Sequence, residues 1–164
     1  MMYRYEILGR PITKKNSMVK TRFGLIQSKQ YRAYESDALD QLMTQKRPEK
    51  PIDCACYMRC KYYMPDRRGW PDIFGLLQAT ADILQKAGIV EDDGFIAFTD
   101  QSYVAGIDKE KPRVSIEIGE ITDLDFPYYK VHPKLAKRAK NGQFERLKAI
   151  WERERWIKGL KEND

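Results

Sequence analysis

Histidine is almost missing from this chain: His132 is the only one in 164 residues. That argues against a Ser–His or Cys–His nucleophile and against a histidine-rich metal centre. Cysteine is scarce as well. Cys54, Cys56 and Cys60 fall in one strand-like run, Asp53–Tyr63, where residues two and four apart share a face. Their spacing is unlike a zinc ribbon or finger, so they are expected to be small buried hydrophobes. No long apolar run is present. The longest helix-like segment is interrupted by Thr80, Asp82, Gln85 and Lys86, which rules out a membrane-spanning helix there. The opening MMYRYEILGR lacks the apolar stretch of a secretory signal, so a cytoplasmic protein with no membrane partner is expected. The length suits one domain with a real core.

Charge is plentiful but sorted. Residues 1–68 carry 15 Lys and Arg against 7 Asp and Glu, residues 69–122 carry 4 against 10, and residues 123–164 carry 11 against 7. Two basic segments flank an acidic one. A basic protein that gathers its acid in one place is a candidate for metal-assisted work on nucleic acid.

Met2–Leu8 alternates enough for a strand, stopped by Gly9 and Pro11. Residues 12–18 read as a basic loop and residues 22–27 as a hairpin arm around Gly24. Residues 28–45 read as a helix, capped by Ser28 or Ser36, with Tyr31, Tyr34, Ala38, Leu39 and Leu42 at helical spacing. Strands are expected over 52–63, 95–104 and 113–121. The clearest helix spans 73–87, with Ile73, Leu76, Leu77, Ala81, Leu84 and Ala87 on one stripe. Pro71 precedes it and Gly88 ends it. The expected fold class is α/β (α+β): a mixed sheet covered by two helices over 1–122. A basic helical extension follows over 123–164. Leu135, Phe144, Leu147, Ile150, Trp151 and Ile157 form its apolar stripe, and Trp151 and Trp156 are too large and apolar to leave exposed without cause.

The chemistry concentrates in Met64–Asp93, MPDRRGWPDIFGLLQATADILQKAGIVEDD. Arg67 and Arg68 suit a phosphate ester. Asp72 stands at the mouth of the helix, where a plain N-cap is the competing role. Glu91, Asp92 and Asp93 form an acidic triplet, and carboxylates are the hard oxygen ligands that Mg²⁺ and Mn²⁺ prefer. For Asp72 to meet Asp93, the chain must double back along a helix about 22 Å long. The five steps from Gly88 cover about 17 Å when fully extended, so the approach is tight. A symmetric dimer would supply the carboxylate if one subunit cannot.

This stretch resembles the RusA-like Holliday junction resolvases, whose pattern is close to D-x-D-N-L-x-K-x-x-x-D-x-L followed by a D-D pair. Asp72, Asp82, Asp92 and Asp93 match it, as do the upstream MPDRR, the N-terminal P-x-x-K-K-N-S at Pro11–Ser17 and the Tyr-Arg-x-Tyr-Glu at Tyr31–Glu35. Phe74 stands where the pattern has its second acid, Gly75 replaces its Asn, and Gln78 replaces its Lys. The resemblance implies a metal-dependent endodeoxyribonuclease that resolves branched DNA in recombination and repair. Asp72, Asp92 and Asp93 would hold Mg²⁺ or Mn²⁺ and serve catalysis. Lys14, Lys15, Asn16, Arg67 and Arg68 would bind DNA, and, outside the resemblance, Lys134, Lys137, Arg138 and Lys140 of the extension are expected to extend that surface. A C₂ homodimer would match the near two-fold symmetry of a four-way junction. Phe74 and Gln78 keep a second reading open: a protein of the same fold that binds branched DNA or a protein partner without cutting.

Overall fold

The computed structural model describes residues 1–14 and 18–161. Its centre is a mixed sheet in the order β1 (Met2–Leu8), β7 (Arg113–Glu120), β4 (Cys56–Met64) and β5 (Ile96–Phe98), with β6 (Tyr103–Ile107) also on β4. β1 and β4 flank β7 antiparallel. β5 and β6 add parallel to the free edge of β4, one near its start and one near its end. Alternation sets the two faces. Tyr5, Ile7, Met58, Cys60, Tyr62, Val114, Ile116 and Ile118 are buried on one side. Arg4, Glu6, Arg59, Lys61 and Glu117 point the other way and line an open basin of about 1020 Å³.

The inner face is covered by α1 (Lys29–Met43) and α2 (Ile73–Lys86), which contribute Ala38, Leu42, Leu76, Ile83 and Leu84 to the core. α1 starts at Ser28, whose Oγ accepts from the Tyr31 N–H at 3.1 Å. Ser36 lies inside the helix. α2 ends at Gly88, whose φ of +70° lets the chain turn back, with Ile89 N–H donating to the Leu84 carbonyl at 3.0 Å. The return then pairs Ile52 with Val90 and brings the acidic triplet beside the start of β4. The three cysteines are buried and unpaired. Burial pushes the Cys54 and Cys60 thiols up to about 12.

Three local expectations change. The strand expected over 95–104 is two strands, because Gln101 takes a left-handed φ of 61° between them. Ser102 Oγ there accepts the Cys60 N–H at 3.0 Å, filling in for the interrupted edge. Second, the hairpin expected around Gly24 forms, but its first arm, β2 (Met18–Thr21), begins at the end of the stretch read as a loop and pairs with β3 (Gly24–Gln27), with Gly24 at φ +109°. Third, the extension folds as α3 (Tyr128–Val131), α4 (Pro133–Lys140) and α5 (Glu145–Lys161). Leu135, Phe144 and Leu147 join the common core. The stripe fades beyond Trp151: Trp156 is 67% exposed and Ile157 38%, so the distal turns of α5 leave both uncovered. Among the described residues no helix is long and apolar enough to cross a membrane.

Candidate active site

Helix α2 organises the site. Asp72 caps it: its Oδ1 accepts the Gly75 N–H at 2.7 Å. Gly75 is where residues 11–14 cross the helix. A Cβ there would stand 2.9 Å from Thr13 Cγ2, so the crossing needs glycine where the resembling pattern has asparagine. The crossing delivers Lys14 one step on, and Lys14 Nζ donates to Asp82 Oδ2 at 2.7 Å. That bond, with the charges of Asp82, Glu35 and Asp93 behind it, raises the Lys14 ammonium above its ordinary range. Phe74 sits on the first turn 79% exposed, with Trp70 51% exposed before it. Gln78 is exposed on the same helix.

The acidic triplet lies towards the far end of α2. Asp93 N–H donates to Gln85 Oε1 at 3.0 Å. Partial burial raises the Asp93 carboxyl above the usual carboxylate range, and the neighbouring Asp82 and Asp92 carboxylates add to the rise. Asp92 differs. Its Oδ1 accepts the Gly94 N–H at 2.9 Å and its Oδ2 takes the Lys134 ammonium. The Lys134 contact, then the Gly94 N–H, hold its carboxyl below the usual range. Glu91 receives Arg138 at 2.5 and 3.2 Å.

The structure therefore brings Asp93 to Asp82 and Lys14, and Asp92 to Lys134. Asp72 caps the opposite end of α2 from the acidic triplet. Asp72 and Asp82 are ten residues apart, about 15 Å along the axis at 1.5 Å per residue. Among the described residues no group of three or more His, Cys, Asp or Glu is arranged to hold a metal ion. Both Asp92 oxygens and one oxygen each of Asp72 and Asp82 already accept hydrogen bonds, and Phe74 offers none. Within one chain, in this arrangement, the residues do not fit a shared divalent cation.

Arg10 and Arg68 are the charged walls of a groove of about 890 Å³ that opens at Pro71, beside the Asp72 cap. Arg10, Thr13, Ser28, Arg68 and Trp70 are among its walls. Arg10 bonds the Arg68 carbonyl and lies 3.6 Å from Asp66, which also receives Arg68 at 3.0 Å. Arg68 is 89% exposed at its side chain and Arg67 is exposed next to it. Lys15 and Asn16 lie outside the described residues. Arg10 was not among the residues singled out in sequence, and the pairing of Lys134 with Asp92 was not anticipated there. Arg10 precedes the Pro11–Ser17 motif by one residue, whereas nothing in the local pattern ties Lys134 to Asp92.

The mixed sheet thus carries a helix capped by aspartate with a groove walled by Arg10 and Arg68 at its start, and a return turn rich in acid towards its other end. The family model described as Endodeoxyribonuclease RusA matches residues 9–119, more than half of the chain. The chain belongs to the RusA endodeoxyribonuclease family, whose members in general resolve Holliday junctions and depend on divalent metal. No curated protein matches the chain.

Proposed function

We propose that this protein is a structure-specific endodeoxyribonuclease that acts on four-way DNA junctions as a homodimer in the cytoplasm. The observation that carries the reading is the cationic groove at the mouth of α2, in a chain of this family. Arg67 and Arg68, joined by Arg10, hold backbone phosphates on the approach to Asp72, and Lys14, Lys15 and Asn16 are further phosphate-binding residues. Residues 1–122 form the acting core and 123–164 the extension. Mg²⁺ or Mn²⁺ is the cofactor the family calls for. Because one chain does not gather Asp72, Asp92 and Asp93, the cation belongs to an assembly in which a second copy brings its own Asp72 to the acidic turn.

The second reading is a junction-binding protein that does not cut. It is favoured by one observation: the acids at Asp82 and Asp92 are already matched by Lys14 and Lys134, while Phe74 and Gln78 stand in the motif. The two readings separate on a synthetic four-way junction set beside linear duplex of the same sequence, with Mg²⁺ or Mn²⁺. The first predicts symmetric cuts in the junction alone. Tight junction binding with no cuts selects the second. Equal, weak binding of junction and duplex rejects both.

A further inference from the structure

The acidic triplet is wrapped by a part of the chain that the family match, ending at residue 119, does not reach. Four side chains do the wrapping. Tyr128 OH donates to the Gly94 carbonyl at 2.7 Å. The His132 ring packs edge-on against Phe95 at 5.4 Å between centroids. Lys134 bonds Asp92, and Arg138 bonds Glu91 and, at 2.8 Å, the Asp53 carbonyl. The local sequence explains the delivery. His132 caps α4, Pro133 opens it, and Lys134 and Arg138 follow four residues apart on one face. Leu135, one position round from Lys134, is fully buried.

Whether this extension is a removable lid or a fixed wall is decided by magnitude. Tyr129, Leu135, Phe144 and Leu147 are 3, 0, 6 and 2% exposed. At about 1.5–3 kcal/mol per fully buried large apolar side chain, uncovering four of them costs on the order of 6–12 kcal/mol. That rivals the whole stability of an ordinary domain, about 5–15 kcal/mol. Lifting the extension is then close to unfolding, so it is a wall. Exposed ion pairs are worth at most about 1 kcal/mol each. Lys134 and Arg138 are therefore not what fastens the extension; the buried side chains fasten it, and the two cations are carried into place.

We infer that Lys134, supported by Arg138, is a positioning residue of the candidate active site. It fixes Asp92 as the cap of the turn at Gly94, so that Asp93 is the acid of the triplet presented towards substrate. In Asp92 both oxygens are used, one by the turn and one by Lys134. In Asp93 neither oxygen is committed to a cation of the extension. The contribution comes from outside the stretch that the family model matches, in a segment whose other role is to complete the core. This rests on the nuclease reading only in what Asp93 does, not in how the turn is held.

The test uses the full chain with Lys134→Ala, Lys134→Arg and Asp92→Asn, and reads two quantities. One is hydrogen exchange of the Gly94 amide. The other is junction cutting, separated into kcat and KM. Lys134→Ala is expected to speed exchange about two- to fivefold and to lower kcat about 10–100-fold, with KM within about twofold, as for other partners that orient a ligating or reacting group. Lys134→Arg should return both most of the way. Asp92→Asn, which keeps the side chain but removes its charge, should speed the same amide. Unchanged exchange in Lys134→Ala overturns the inference. So does a raised KM with a shallower salt slope and an unchanged kcat, which would make Lys134 a phosphate contact. If wild-type protein cuts nothing while the amide responds as described, the positioning role stands and the nuclease reading falls.

Discussion

Gly75 is the point at which sequence, packing and site meet, and replacing it with alanine has a calculable outcome. In a helix interior Gly→Ala stabilises by roughly 1 kcal/mol through backbone entropy, an upper figure for Gly75 in the first turn of α2. Here the new Cβ would stand 2.9 Å from Thr13 Cγ2, 3.1 Å from Thr13 Cβ and 3.0 Å from Asp72 Oδ2. Thr13 is only 4% exposed, so it has little room to retreat. Overpacking of this kind costs about 1–3 kcal/mol. The sum is a net loss of about 0–2 kcal/mol, or a fall in Tm of up to about 8 °C at 2–4 °C per kcal/mol for a chain of this size. Thr13→Ser removes the nearest methyl, so Gly75→Ala should cost less in that background, with a coupling of at least about 0.5 kcal/mol. Urea melts of the four proteins in the cycle measure it. A Gly75→Ala variant that gains the full ~1 kcal/mol of helix propensity, with no coupling to Thr13, would refute the close crossing.

Three further outcomes follow. Leu135→Ala should lose about 2–5 kcal/mol by thermal or urea melt, since the side chain is fully buried; for the same reason, truncation after Thr122 should give a chain that does not fold stably. Asp93→Asn should raise Tm modestly at neutral pH. A carboxyl raised above its ordinary 3.8 binds its proton more readily in the folded state, so wild-type stability falls as pH rises from that value through the folded one, and the variant's advantage should vanish below the window. An equal mixture of Asp72→Asn and Asp93→Asn proteins, each inactive alone, should nick a four-way junction, because a mixed dimer holds one composite site with both acids. No nicking by the mixture would confine the site to one chain.

Much of the frame could be read directly from the residues. The 73–86 helix announced itself through Pro71, the Asp72 cap and Gly88, and the 113–120 strand through clean alternation, because both signals are local. What escaped was non-local. The break between β5 and β6 depends on Gln101 taking a left-handed φ, which glutamine does not advertise. The fading stripe of α5 reflects where the core ends rather than any feature of Trp156. The site was legible in part. Asp72, Asp92 and Asp93 were recognised as a set from the motif, and the helix length already warned that the first stands far from the others. The pairing of Lys134 with Asp92 joins positions 42 residues apart, and only the fold places them together. A basic i, i+4 pair beside a single apolar residue on a short, proline-started helix was the available hint.

The most direct measurement is cutting of a four-way junction by wild-type and Asp93→Asn proteins in Mn²⁺, with binding followed in the same samples. Paired cuts by the wild type, lost in Asp93→Asn while binding persists, are the predicted result. A wild-type protein that leaves the junction intact, or an Asp93→Asn protein that cuts it equally well, would contradict the assignment of this acidic turn to a junction-directed nuclease.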